Sequence, residues 1–158
     1  MGELAPTLRR LAEAERRYAE ELHKLAESIR YMVPLAALLE AVALDSEKHA
    51  RIYEALFKIA TGASQPGLVE EDLRLLEGVI ERHIETEARM IEEARGLLDS
   101  VGEARLKLLL ASILEDELRH HRLLTDVRDK VAKRRVLTDA EFWDAVWRDS
   151  PWHGAPGG

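Results

Sequence analysis

Cysteine is absent from the 158 residues. That excludes disulfides, thiolate metal sites and a cysteine nucleophile, and assigns no compartment. Prolines number five, and aromatics are 5% of the chain. Such a composition suits helices better than an all-β architecture. No apolar run approaches the ~18 residues that a membrane-spanning helix needs. The N-terminal M-G-E-L-A-P-T-L-R-R carries no apolar signal core. A soluble cytoplasmic protein without a membrane partner is the default expectation. Excess positive charge is also lacking: the formal net charge is −7, which argues against nucleic acid as a partner. What remains, 46% hydrophobic and 34% charged, is enough for one domain with a substantial core.

The richest stretch is I-L-E-D-E-L-R-H-H-R-L-L, Ile113 to Leu124. Leu106, Leu109, Leu110, Ile113, Leu124, Val127 and Val131 recur every three or four residues, the period of a helix with one apolar face. At ~100° per residue, His120 falls near the middle of that face, with Asp116 and Glu117 on either side. His121 is turned away. Aiming an imidazole and a carboxylate into a core is costly unless they are paired or bind a metal.

The same reading gives three earlier helices. The first runs from about Glu3 to Arg30, with Leu4, Leu8, Leu11, Tyr18, Leu22, Leu25 and Ile29 as its stripe. After a turn near Tyr31 to Pro34, the second extends to about Ala60, where Gly62 reads as its stop. T-G-A-S-Q-P-G, residues 61–67, is the clearest linker. The third runs from Leu68 or Asp72 to Leu98. Ser100 with Glu103 reads as a capping box for the fourth, which continues to about Arg135. Residues 1–136 are thus expected to form a four-helix bundle. Residues 137–158 form a short helix, opened by Thr138 to Glu141, and a tail. Phe142, Trp143, Val146, Trp147 and Trp152 would dock that tail on the bundle or on a second subunit, giving a homodimer.

On these helices Glu15, His49, Glu87 and His120 lie within the stripes. Asp45 and His83 sit one turn away on the flanks, while Glu47, Glu85 and His23 are expected to face solvent. Glu15 precedes His49 by almost the same separation as Glu87 precedes His120. An offset of about 72 residues maps Glu15 on Glu87, Leu11 on His83, Ala12 on Ile84 and Ala19 on Ile91. An offset of about 71 maps Asp45, Ser46 and His49 on Asp116, Glu117 and His120. Two repeated hairpins packed face to face would gather these groups into one nitrogen and oxygen site. Imidazole suits iron, copper, nickel and zinc, and bridging carboxylates suit iron and manganese. A lone histidine on such a stripe is more often part of a core than a ligand; the repeated coincidence favours the metal.

At these residues the sequence resembles the ferritin-like superfamily of di-iron carboxylate proteins, over about Leu8 to Val131. Glu15 and Glu87 match its single glutamates, and Glu117-x-x-His120 matches its second E-x-x-H pair. Ser46 stands where the first pair has glutamate before His49, with Asp45 one position earlier. His83 looks like an additional ligand found in some branches. D-S-E-K-H, residues 45–49, and the terminal H-G-A-P-G-G also resemble a small group of archaeal ferritin-like proteins, a likeness that carries no defined activity. The resemblance implies a ferritin-like four-helix bundle holding iron, two ions, with manganese or zinc as alternatives. Glu15, Asp45, His49, Glu87, Glu117 and His120 would be ligands, with His83 and Asp116 beside them. It further implies reaction with dioxygen or peroxide, as in a ferroxidase or oxidoreductase. Lack of cysteine speaks against a self-contained rubrerythrin. Two other readings stand beside it: a metal-free helical interaction module, and a magnesium-dependent all-α pyrophosphohydrolase, whose carboxylate-rich sites match the histidines poorly.

The ferritin-like topology makes one demand on the linker. It runs the second and third helices parallel, so the chain must return the length of the bundle. With the third helix starting at Asp72, that return is about 38 Å, just within the extended reach of residues 61–71. Leu68 to Glu71 are therefore expected not all to be helical. A start at Leu68 would favour an up-down-up-down bundle or a hairpin-swapped dimer.

Overall fold

The computed structural model describes residues 3–63 and 69–133, without the side chains of residues 130–133. Four helices account for nearly all of them: α1 (Leu4–Ser28), α2 (Val33–Ala60), α3 (Glu70–Ser100) and α4 (Ala104–Lys133). No strand occurs among the described residues. The chain divides into two compact units between Gln65 and Pro66. Each is an antiparallel helical hairpin, α1 on α2 and α3 on α4. No helix among the described residues is long and apolar enough to cross a membrane. The tail from residue 134, with its expected short helix and tryptophans, lies outside the described residues.

Local chemistry sets the helix ends. Ser28 turns its hydroxyl back to donate to the Leu25 carbonyl at 2.7 Å, and Met32 N–H closes the turn on Ile29 O at 2.7 Å. Pro34 then sits in the first turn of α2, where its missing N–H leaves no bond unmade. At the far end Gly62 adopts φ +70°, and Ala63 N–H reaches back to Lys58 O at 3.0 Å. That backward bond is the Schellman stop, and a left-handed residue there favours glycine. α3 opens with Glu70, Glu71 and Asp72 in its first turn, at the positive end of the helix dipole. Asp72 Oδ2 accepts from Val69 N–H at 3.3 Å. Val69 itself is extended, so the helix starts between the two positions that the pattern allows.

One expected cap is overturned. Ser100 does not open α4; it is the last residue of α3 and donates its hydroxyl to Leu97 O at 2.9 Å. Its partner Glu103 pairs instead with Arg105. A serine at a helix end can bond backward as readily as forward, and the run of apolar residues up to Leu98 carries α3 through it.

The seams of the two hairpins differ in grain. In hairpin 1, Leu8, Ala12, Ala19 and Ala26 of α1 are buried, as are Ala43, Ser46 and Ala50 of α2. In hairpin 2 the α3 seam is Ile80, Ile84, Glu87, Ile91 and Ala94. The repeat inferred from sequence recurs in this burial: Leu8, Ala12, Glu15 and Ala19 have Ile80, Ile84, Glu87 and Ile91 as counterparts. Its first member in each hairpin is apolar, and its third is glutamate.

Candidate metal-binding residues

A second stripe, left open by the hairpin seams, carries most of the candidate imidazoles. Leu4, Tyr18 and Leu25 on α1, with Leu35, Val42 and Leu56 on α2, are all exposed. On α2 they repeat every seventh residue, and His49 occupies the missing member of that series. On α4 the corresponding series is Leu106, Ile113, His120 and Val127. On α3 it is Leu76, His83, Met90 and Leu97. His49, His83 and His120 are exposed, each within an apolar row that its own hairpin leaves mostly open, only Leu76 and Val127 of these rows being half-buried.

The carboxylates lie closer to the seams. Glu87 is 9% exposed, and its Oε2 is buried without a hydrogen-bond partner among the described residues. The Arg128–Glu81 pair at 3.6 Å joins α3 to α4. With the connection at residues 101–103, it sets Glu87 level with the segment of α4 that holds Glu117 and His121. Glu117 is half-buried there. In hairpin 1, Glu15 is half-buried and its Oε1 lies 3.6 Å from His49 Nδ1. Ser46, at the position equivalent to Glu117, is buried. The two aspartates are engaged locally, Asp45 with Lys48 and Asp116 with Arg119, the latter at 2.6 Å.

Within their own hairpins His120 and His49 lie on the open apolar rows and not in the seam, and the orientation expected of His121 is corrected. His121 is half-buried, and its Nδ1 is enclosed with no partner among the described residues. The reason is angular. The apolar face of α4 is wide, and contact with a single neighbour covers only one side of it. That side contains Leu110, Leu114, Glu117, His121 and Leu124, all half-buried, and leaves His120 one step round the helix.

A further correction concerns His23, expected in solvent. It bridges the hairpin: its Nδ1 lies 2.9 Å from Glu40 Oε2 and its Nε2 3.2 Å from Glu47 Oε1. Glu47, also expected in solvent, is thereby half-buried. The bond to Glu40, then that to Glu47, raises the pKa of His23 above the ordinary 6.5. The level-matching that pairs Glu15 with His49 would have found it, since a fold near residue 31 brings His23 opposite Glu40.

No group of three or more histidine or acidic side chains is gathered at metal-binding distance among the described residues. Each hairpin brings together at most part of the expected set: Glu15 lies 3.6 Å from His49 in one, while in the other Glu87 is buried in the seam and Glu117 half-buried on the facing helix. Comparison with family models, with curated proteins and with solved structures gives no match. The candidate donors are carboxylate and imidazole, and they include one buried carboxylate oxygen, Glu87 Oε2, with no hydrogen-bond partner among the described residues. Carboxylate and imidazole are donor types that iron, manganese and zinc accept.

Proposed function

We propose that this chain is a ferritin-like metal-binding protein that holds iron, two ions, at Glu15, Asp45, His49, Glu87, Glu117 and His120. His83 and Asp116 adjoin the site. The observation that carries the reading is Glu87: a carboxylate in an apolar seam between Ile84 and Ile91 with an unpartnered oxygen. Burying such a group is unfavourable by about 1–3 kcal/mol or more unless a partner arrives. A cation is the partner that would also explain Glu15 at the equivalent position, with an imidazole 3.6 Å away.

Iron, when bound, would supply redox chemistry towards dioxygen or peroxide. The chain's own contribution would be to present the carboxylates from the seams and the imidazoles from the open stripes. Apolar neighbours such as Met90 and Ile113 would limit water around them. Ser46 offers no carboxylate, so the hairpin 1 side is the weaker half of the site. The open apolar stripes also favour a second reading, a metal-free interaction module. It predicts that a chelator leaves thermal stability unchanged.

The deciding experiment is elemental analysis of protein purified without an affinity tag. Glu87→Ala and His120→Ala are each expected to abolish tight metal uptake, while the exposed Glu85→Ala keeps it. His121→Ala tells which of the adjacent imidazoles is the ligand. Equal metal content in the Glu87, His120 and Glu85 variants would end the assignment.

A further inference from the structure

Both hairpins leave the same kind of face uncovered, and the connection between them is too short to bring those faces together in ferritin-like fashion. α2 ends at Ala60 and α3 begins at Glu70. His49 lies about 16 Å of helix before Ala60, and Glu87 lies about 26 Å after Glu70. Parallel α2 and α3 with those two residues level therefore require a return of about 42 Å. The ten steps from Ala60 to Glu70 reach about 36 Å when fully extended, whatever path they take. The deficit is more than a helical turn, before any sideways displacement is added. α2 is followed by the left-handed Gly62, and α3 opens with the acidic turn Glu70, Glu71 and Asp72.

We infer that the open face of hairpin 1 is covered by hairpin 2 of a second copy of this chain, in a reciprocal dimer whose two metal sites each draw residues from both copies. The inference rests on the proposed ferritin-like site for its topology. Three observations favour pairing hairpin 1 with a hairpin 2 independently of the metal, and the length of the connection assigns that hairpin 2 to a second copy. First, the open rows share one spacing: Leu35, Val42, His49 and Leu56 on α2 against Leu106, Ile113 and His120 on α4, continued by the half-buried Val127. Equal spacing lets the two faces interlock over their whole length. Second, the seam of hairpin 1 is built largely from alanines, and larger apolar side chains such as Leu25, Leu35, Val42 and Leu56 stay exposed. Covering that face with a second layer is what gives a pair of helices a real core. Third, charge favours unlike pairing. Hairpin 1 (residues 3–63) has nine Lys and Arg against ten Asp and Glu, and hairpin 2 (residues 69–133) has eleven against sixteen. Two copies of hairpin 2 would repel each other more than a mixed pair.

The first test is the mass of the full chain by sedimentation equilibrium at micromolar concentration. Twice the 17.9 kDa chain mass is expected. Val42→Glu and Ile113→Glu, on residues exposed in their own hairpins, should convert the dimer to monomer with helix content retained. A monomeric native chain overturns the inference, because the faces would then close within one copy. The second test is complementation by iron content. A chain with Glu15→Ala and His49→Ala, and one with Glu87→Ala and His120→Ala, should each bind no iron tightly. Co-expressed, they should recover about a quarter of the native content, since half the dimers are mixed and each mixed dimer has one intact site of two. No recovery from a native protein that does bind iron overturns the exchange of hairpins. Retention of about half by each variant alone would mean like pairs with like, and also overturns it. If the native chain binds no metal, the proposed function fails, and the mass and the two glutamate variants still decide the pairing.

Discussion

His23 on α1 and Glu40 on α2 are joined by a 2.9 Å hydrogen bond, while the other ring nitrogen of His23 faces Glu47 at 3.2 Å. Both nitrogens can donate only when the ring is the imidazolium. Protonation of the ring is what lets both bonds form together, and the raised pKa of His23 follows from its two carboxylates, Glu40 first. A pKa higher in the folded than in the unfolded chain stabilises the fold below the unfolded value, and the contribution is lost as pH rises through the folded value. The difference in melting temperature between the native chain and His23→Gln should be largest near pH 5.5–6 and shrink towards pH 8.5. A difference that is constant with pH would show that the contact is only packing.

Glu87 invites the opposite sign of substitution from most core residues. Its Oε2 is buried without a partner among the described residues. Glu87→Leu should therefore raise the stability of metal-free protein by about 1 kcal/mol or more, while removing metal uptake. Thermal melts in chelator, with and without the substitution, read this directly. A lowered melting temperature would mean that the carboxylate already has a structural partner.

Ala43 is the most enclosed alanine of the hairpin 1 seam, 0% exposed between its neighbours. Ala43→Leu forces larger volume into that seam and should cost about 1–3 kcal/mol, against little change for Ala41→Leu on the exposed side. Chemical denaturation of the two variants makes the comparison.

Gly62 is a conformational requirement rather than a steric one. It holds φ +70°, and a Cβ built there meets nothing within 4 Å. Gly62→Ala should cost about 1 kcal/mol through the left-handed backbone alone. Gly96, inside α3 and equally open, should accept alanine with a gain of stability.

The order of residues alone determined the four helices of the described residues, the three connections between them, and the internal repeat. Those properties are local or periodic: Pro34 and Gly62 act within one turn, and a recurrence every three or four residues survives any arrangement of neighbours. It also determined that Glu15, His49 and Glu87 belong near apolar faces. Only tertiary structure decided which side of each broad face meets a partner helix. On α4 that choice gives seam burial to Glu117 and His121 and leaves His120 outside, because adjacent residues differ by about 100° and one neighbour covers less than the whole apolar face. It likewise turned His23 and Glu47 from solvated residues into a bridge, which the phase of each helix alone does not show and only matching levels across the closed hairpin reveals. Ser100 went the same way: its hydroxyl could cap forward or backward, and the length of α3 chose.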